Sequence, residues 1–162
     1  MYTSCYQSPL GEIVLTADNQ GLTSLSFLAA SQSHNNKTSK EFTNTNETVF
    51  TKVKQQLDEY FNLQRQHFTL ALAPQGTVFQ QKVWQALQLI NHGETQSYAW
   101  LAEKIGNEKA VRAVGLANGA NPIPLIIPCH RVIGSNGKLT GYAGGLALKA
   151  RLLMHEGAEF KP

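Results

Sequence analysis

Three prolines within seven residues, Pro122, Pro124 and Pro128, constrain this chain more than any other feature. Each lacks a backbone N–H and has its φ fixed by the ring. The pair flanking Ile123 therefore excludes both a helix interior and a central strand at 122–124. Pro128 biases Ile127 towards extended backbone. Cys129, His130, Arg131 and Val132 follow directly. A sulfur thus sits just after a stiff, extended, apolar approach, where its position can be held tightly. The thiolate is the nucleophilic form of cysteine, and nearby positive charge or a positioned base raises its population. The adjacent His130 and Arg131 are residue types with that capacity. A free cysteine is also a common small core residue, so this stretch alone leaves both readings open.

The patterning ahead of this stretch changes along the chain. Residues 2–7, 13–17 and 22–28 alternate with a period of two and are separated by Ser8-Pro9-Leu10-Gly11 and Asp18-Asn19-Gln20-Gly21. They predict a three-stranded antiparallel meander. Residues 29–46, rich in Ser, Asn, Thr and Gln, are expected to be a mobile connection. Val49, Val53, Leu57, Tyr60 and Phe61 fall at helical spacing across 48–61, and 66–72 is read as a further strand. Pro74-Gln75-Gly76 marks a boundary, giving lobes at 1–75 and 76–162.

The second lobe is expected to be mostly helical. Thr77 caps a helix running to about Asn91, with Phe79, Val83, Trp84, Leu87 and Ile90 inward, and Gly93-Glu94-Thr95 breaks it. Ser97 caps a helix over 98–105, Gly106-Asn107 is a tight turn, and a second helix covers 108–118. Two short helices joined by a glycine-containing turn are the helix-turn-helix pattern, and also that of an ordinary αα-hairpin. Gly134-Ser135-Asn136-Gly137 is a turn, and 140–145 is a glycine-rich loop carrying Tyr142, with no phosphate-loop pattern beside it. A helix over 146–156 closes the chain, with Leu148, Leu152 and Leu153 inward and Gly157 as its C-cap. The fold class predicted is α+β, an antiparallel sheet lobe with a helix followed by a helical, winged-helix-like lobe.

Composition excludes several classes. At 42% hydrophobic and 15% charged residues the chain reads as an ordinary soluble globular protein. No apolar run reaches bilayer length, and the first residues lack a secretory signal, so a cytoplasmic, membrane-free monomer is expected. Two cysteines, Cys5 and Cys129, and five histidines show no zinc-ligand spacing. Residues 76–162 hold nine Lys/Arg against five Asp/Glu, while 1–75 hold five against six. The second lobe is therefore the one suited to a polyanion.

The helix predicted over 108–118 presents small residues at its expected outer positions, Ala110, Ala113 and Ala117, with Gly119 and Ala120 beyond and Arg112 as the one long basic side chain. A helix reading the major groove normally carries several long polar side chains. Small residues permit close backbone approach, and a lone long side chain suits a wedge in the base stack, as in minor-groove kinking and base extrusion.

Four runs then occur in order: Gly93-Glu94-Thr95-x-Ser97-Tyr98; Lys109-Ala110-Val111-Arg112-Ala113-Val114-Gly115; Asn121-Pro122-Ile123-Pro124-x-x-Ile127-Pro128-Cys129-His130-Arg131-Val132; and Gly141-Tyr142-x-Gly144-Gly145-Leu146 with Lys149, Leu152-Leu153 and His155-Glu156-Gly157. Together they resemble the O6-alkylguanine-DNA alkyltransferase family of its constitutive, single-unit bacterial type. The resemblance covers residues 76–158, and in 1–75 rests mainly on Ser8-Pro9-Leu10-Gly11 and general layout.

The resemblance implies direct repair of double-stranded DNA approached through the minor groove. An alkyl group passes irreversibly from guanine O6, and less readily from thymine O4, to the protein's own cysteine, with no cofactor or metal. It implies Cys129 as nucleophile, His130 as its base through a water, Glu156 as the group fixing the imidazole tautomer, and Asn121 as the hinge to the helix-turn-helix. Tyr98 is implied as donor to guanine N3, Cys129 and Val132 as carbonyl acceptors for the guanine amine, Tyr142 as packing on the flipped base, and the Ala143 backbone N–H as donor to O6. Arg112 is implied as the residue filling the vacated stack, with Ala113, Ala117, Asn107 and Ser135 along the DNA. The zinc ligands of some relatives do not map here, so no structural zinc is expected, and the cysteine-rich regulatory domain of adaptive-response members is not expected either.

Each assignment has a plainer counterpart: Glu156 as a helix-end carboxylate, Tyr98 as a core aromatic, Arg112 as a solvated charge, Asn121 as a turn residue before proline. A non-catalytic binder of alkylated DNA is the alternative function, and Cys129 argues against it, since alkyltransferase-like relatives carry tryptophan there. A helix-turn-helix regulator is disfavoured by the alanine-rich second helix. A cysteine hydrolase is disfavoured by the immediate Cys-His adjacency.

Overall fold

The computed structural model of the protein describes residues 1–28, 47–142 and 144–161. The expected mobile connection at 29–46, and Ala143, lie outside the described residues. The chain divides into two compact units, Met1–Gln75 and Gly76–Pro162. The architecture is α+β, as expected.

In the first unit the period-two alternation becomes an antiparallel meander of β1 (Tyr2–Ser8), β2 (Gly11–Ala17) and β3 (Leu22–Phe27). The β1–β2 register runs from Tyr2 opposite Ala17 to Ser8 opposite Gly11, so Pro9 and Leu10 alone close the hairpin. Gly11 sits at φ 121°, a conformation L side chains rarely adopt, which is why a glycine ends this turn. Ile13, Leu15 and Ala17 of β2 are buried with Leu22 and Leu25 of β3. Helix α1 (Glu47–Phe61) packs on β1 and buries Phe50, Val53, Leu57 and Tyr60. That stripe recurs at three- and four-residue steps. Val49 and Phe61, expected inward, lie at its half-buried edges, and Phe50 takes the central place.

The strand expected over 66–72 does not form. Only Leu72 makes an isolated parallel bridge, to Leu22. The physical reason is a competing partner: the Gln56 side-chain amide accepts from the Thr69 N–H at 2.9 Å and donates to the Thr69 carbonyl at 3.2 Å. A backbone satisfied by a side chain needs no neighbouring strand.

The second unit opens on helix α2 (Val78–Leu87), held by a reciprocal cap. Thr77 Oγ1 accepts from the Gln80 N–H at 3.1 Å, and Gln80 Oε1 accepts from the Thr77 N–H at 3.0 Å. The helix stops at Leu87, short of the expected Asn91. Beyond it, Leu89 and Ile90 donate to carbonyls three residues back at 3.0 and 3.1 Å, which tightens the chain into turns while Ile90 stays buried.

Helix α3 (Tyr98–Lys104) is capped by Ser97, whose Oγ accepts from the Trp100 N–H at 3.1 Å. Gly106 at φ 77° ends it. Helix α4 (Val111–Gly119) starts later than the expected residue 108, because Ala110 N–H closes a turn onto the Asn107 carbonyl at 3.0 Å. Helices α2, α3 and α4 pack together, and Trp84 Nε1 of α2 donates to the Ala117 carbonyl of α4 at 2.9 Å. Two strands of two residues each, β4 (Gln96–Ser97) and β5 (Val132–Ile133), pair in parallel. Helix α5 (Leu146–His155) buries Leu152 and Leu153, with Glu156 as its cap residue and Gly157 at φ 72° behind it. Among the described residues no helix is long and apolar enough to cross a membrane.

Candidate active site

The proline-rich segment is stapled by one side chain. Asn121 follows α4; its Nδ2 donates to the Ile127 carbonyl at 2.8 Å and its Oδ1 accepts from the Ile123 N–H at 3.0 Å. Ile127 N–H also donates to the Ile123 carbonyl at 2.9 Å. Ile123, Leu125, Ile126 and Ile127 are buried, and Leu125 is held at φ 76°, a region non-glycine residues rarely occupy. Such strain persists only where surrounding structure over-determines the backbone. The segment delivers Pro128 to a single 3₁₀ turn, Cys129–Arg131, so sulfur, imidazole and guanidinium leave the chain in different directions. All three residues are buried.

The directions decide their roles. His130 Nε2 lies 2.9 Å from Glu156 Oε2. Arg131 Nε donates to Glu156 Oε1 at 2.8 Å, its Nη2 to Oε2 at 3.0 Å, and its Nη1 to the Ile90 carbonyl at 2.7 Å. Burial pushes the Glu156 carboxyl upward, but the charges and hydrogen bonds of His130 and Arg131 outweigh it and hold it well below the usual carboxylate range. Burial lowers the proton affinity of His130, and the pull of Glu156 does not reverse this. A fully buried ring with Arg131 and Lys149 as neighbours favours the neutral imidazole, leaving Arg131 as the cation that holds the carboxylate down. An anionic Glu156 can only accept, so Nε2 carries the ring proton. His130 Nδ1 is then the basic nitrogen, and it is buried with no hydrogen-bond partner among the described residues.

By proximity in the chain Arg131 is a candidate activator of the sulfur. Its guanidinium is committed to Glu156 instead, and the cation acting on Cys129 is Lys149, the first-turn lysine of α5. Lys149 is fully buried; its Nζ donates to the Val132 carbonyl at 2.6 Å and to the Thr140 carbonyl at 3.0 Å. Burial pulls the Lys149 ammonium down to about 8, against the opposing effect of Cys129. Burial pushes the Cys129 thiol up to about 11, opposed by a hydrogen bond from Asn121 and the charge of Lys149. The resting sulfur is therefore a protonated thiol, which needs a base to react. One signal for Lys149 was present: it precedes Leu152 and Leu153 by three and four residues and so shares their inward helical face.

The remaining expected residues divide into two sets. Tyr98, half-buried at the start of α3, has its hydroxyl 2.5 Å from Thr140 Oγ1. The Val132 carbonyl already accepts from Lys149, and a carbonyl has a second lone pair for another donor. The Tyr142 hydroxyl is shielded from solvent and has no hydrogen-bond partner among the described residues. In the other set, Arg112 and Ala113 are exposed on α4, and Asn107 and Ser135 are exposed on turns. Ala117 corrects its expectation. It is buried at 3% exposure, in a helix that packs against α2, whose Trp84 donates to its carbonyl. The outward residue of that turn is Leu116, which is 73% exposed. Among the described residues no group of three or more His, Cys, Asp or Glu side chains could hold a metal ion.

Two family profiles match the chain. One, described as 6-O-methylguanine DNA methyltransferase, DNA binding domain, covers residues 78–158. The other, 6-O-methylguanine DNA methyltransferase, ribonuclease-like domain, covers residues 1–74. The chain is 48% identical over 161 residues to a methylated-DNA–protein-cysteine methyltransferase of Methanosarcina acetivorans, spanning 98% of this chain and 99% of that one. It is 46% identical over 162 residues to the constitutive methylated-DNA–protein-cysteine methyltransferase of Bacillus subtilis, spanning 99% and 98%. Among solved structures it is similar to Mycobacterium tuberculosis OGT in complex with DNA, with a TM-score of 0.84, 43% identity, and 97% and 93% of the two chains covered.

Proposed function

The chain belongs to the 6-O-methylguanine DNA methyltransferase family, and on that premise we propose Cys129 as the alkyl acceptor and the buried network around it as the machinery of transfer. The activity is direct repair of alkylated DNA by transfer of the alkyl group to a cysteine of the protein, with DNA as partner. The observation that supports the site most strongly is His130, whose Nε2 is engaged by Glu156 while its buried Nδ1 has no partner among the described residues. A neutral imidazole held in that tautomer is a general base aimed by its carboxylate, the logic of a nucleophile–His–acid relay.

The steps follow from these groups. His130 Nδ1 takes the Cys129 proton, directly or through one water. The sulfur attacks the alkyl carbon on guanine O6, and less readily on thymine O4; the S–C bond forms and the C–O bond breaks with its electron pair going to the base. The proton lost by the thiol balances the one the base regains as its amide tautomer. A thioether is a poor leaving group, so each chain reacts once. Tyr98 donates to guanine N3 and relieves the developing charge. The Cys129 and Val132 carbonyls accept from the exocyclic amine, Tyr142 packs on the extruded base, and the Ala143 N–H donates to O6. The alkyl carbon lies within the duplex, so the nucleotide is flipped out. Arg112 fills the vacated stack, with Ala113, Asn107 and Ser135 along the minor-groove face. The catalytic, DNA-binding lobe is 76–162 and the α/β lobe 1–75. A working thiol at Cys129 fits the reducing cytoplasm.

Intact-protein mass spectrometry after incubation with duplex carrying one O6-methylguanine, followed by peptide mapping, tests the proposal. One methyl on Cys129, with stoichiometric loss of the lesion, is expected. Tight lesion binding with no mass change would make the protein a damage binder instead. The pH profile adds a second test. His130 must be neutral to act, and burial lowers its proton affinity from 6.5. The single-turnover rate therefore keeps its plateau below pH 6.5 and falls only in more acid solution. A half-maximum at or above 6.5 would argue against His130 as the base.

Arg112→Ala separates flipping from chemistry. Arg112 is exposed on α4, whereas His130 and Glu156 are buried. Repair of duplex is expected to slow about tenfold or more, the scale of a few kcal/mol of unstacking left uncompensated. Reaction with free O6-methylguanine base should be unchanged. Equal losses on both substrates would contradict a role in flipping.

A further inference from the structure

We propose that Thr140 is a positioning residue for the transfer reaction, relaying the Lys149 ammonium to the Tyr98 phenol so that the phenolic hydrogen points to the lesion. It rests on the assignment of Tyr98 as donor to the base.

The donor count carries the proposal. Lys149 Nζ is buried and donor-only; it reaches the Val132 carbonyl at 2.6 Å, the Thr140 carbonyl at 3.0 Å and Thr140 Oγ1 at 3.4 Å. Three donors meet three oxygens, so Thr140 Oγ1 is an acceptor towards Lys149. The Thr140 hydroxyl hydrogen is then directed elsewhere, and the Tyr98 oxygen lies 2.5 Å away. If Thr140 donates to Tyr98, the Tyr98 oxygen is the acceptor in that bond and its own hydrogen is released to a third group. Without this bias the phenol could equally spend its hydrogen on Thr140, which would leave none for the base. The Thr140 carbonyl is bonded to the same ammonium, so the loop holding the hydroxyl is fixed at both ends of the residue.

The chain Lys149–Thr140–Tyr98 also has an electrostatic consequence. As the C–O bond breaks, negative charge moves onto the guanine ring, and the phenol donates more strongly. The phenol oxygen gains charge as it does so, and the Thr140 donor with the ammonium behind it stabilises that charge. No proton need leave Lys149 for this to operate. The burial that lowers Lys149 to about 8 marks the same ammonium as pH-sensitive. The benefit of Thr140 should therefore fade as pH rises through that value.

Thr140→Val keeps the shape and removes the hydroxyl; Thr140→Ser restores it. Single-turnover transfer from O6-methylguanine duplex, read by quench-flow at saturating protein, is expected to slow about tenfold in Thr140→Val and to recover in Thr140→Ser. Duplex affinity and the thermal unfolding midpoint should stay near wild type. In a Tyr98→Phe background, Thr140→Val should add little further loss, since its effect passes through the phenol. The wild-type advantage over Thr140→Val should shrink between pH 7 and pH 9, on either side of the Lys149 value of about 8. A Thr140→Val rate equal to wild type overturns the proposal while leaving the assigned site intact. A loss of the same size with and without Tyr98 overturns it too, by showing that Thr140 acts elsewhere. A wild-type chain that gains no methyl at Cys129 removes the site assignment and this inference together.

Discussion

Cys129→Ala is expected to abolish alkyl uptake completely while leaving binding to duplex DNA within a few-fold of wild type. Transfer needs a soft nucleophile at one point, and neither His130 nor Lys149 can replace it. His130 Nδ1 belongs to a ring locked to Glu156, and the Lys149 ammonium has its hydrogens committed to Val132 and Thr140. The loss is therefore all or none rather than graded. Binding is expected to survive because Arg112, Ala113, Asn107 and Ser135, the residues proposed to lie along the DNA, are exposed and untouched by the change. The fold survives as well: removing one sulfur at a site 5% exposed deletes one small buried group, a cost of about 1 kcal/mol. Intact mass after incubation with lesion duplex, together with fluorescence anisotropy on the same duplex, reads both halves. A methylated Cys129→Ala protein would place the acceptor elsewhere; lost DNA binding would show that the sulfur site also shapes the contact surface.

Glu156→Gln is expected to be the most damaging single change to stability. Two side chains of the 3₁₀ turn, His130 and Arg131, converge on the carboxylate at the α5 cap, and both the hydrogen bond from His130 and the ion pair with Arg131 are buried. Glutamine nearly keeps the volume but removes the charge and turns one oxygen into a donor facing donors. The Arg131 guanidinium is left buried without its counter-charge, and breaking such a pair costs about 3–5 kcal/mol. His130 loses the acceptor that fixes its proton on Nε2, so transfer should also slow on the order of a hundredfold. Urea unfolding at neutral pH reads the first effect and single-turnover kinetics the second. An unfolding midpoint matching wild type would mean the network is not the support described.

The same carboxylate sets an acid dependence with a definite sign. Its folded proton affinity is depressed below the ordinary value of 4.5. Its stabilisation is thus complete above about pH 4.5 and is lost progressively as pH falls below that. Wild type should lose stability steeply in this range and Glu156→Gln much less, so the two unfolding curves should converge on acidification. Parallel curves down to strongly acid pH would exclude Glu156 as the group responsible.

Much of this was legible because it is local. Thr77 with Gln80 and Ser97 before Trp100 act through bonds three residues long, and Gly106 and Gly157 act through their own φ, so adjacent letters suffice. Alternation in the first strands and the stripe of α1 follow from geometry that repeats along the chain. The errors cluster where a distant group competes. Residues 66–72 are strand-like by composition, yet Gln56 takes the Thr69 backbone. Ala117 reads as outward because small residues suit either face, and packing of α4 on α2 decides which.

The sequence by itself determined the chemistry available: a cysteine behind three prolines, a histidine beside it, a glutamate closing the last helix, and the run of motifs that carries the family resemblance. Only the tertiary structure decided how that chemistry is divided. It turned Arg131 away from the sulfur to Glu156, set Lys149 near Cys129, left His130 Nδ1 as the basic nitrogen, and joined Tyr98 to Thr140 across 42 residues. Adjacency along a chain says which groups are near in number, whereas a 3₁₀ turn sends neighbours in different directions. Which distant groups they meet depends on how the helices and the short β4–β5 pair pack, and no spacing in the sequence encodes that.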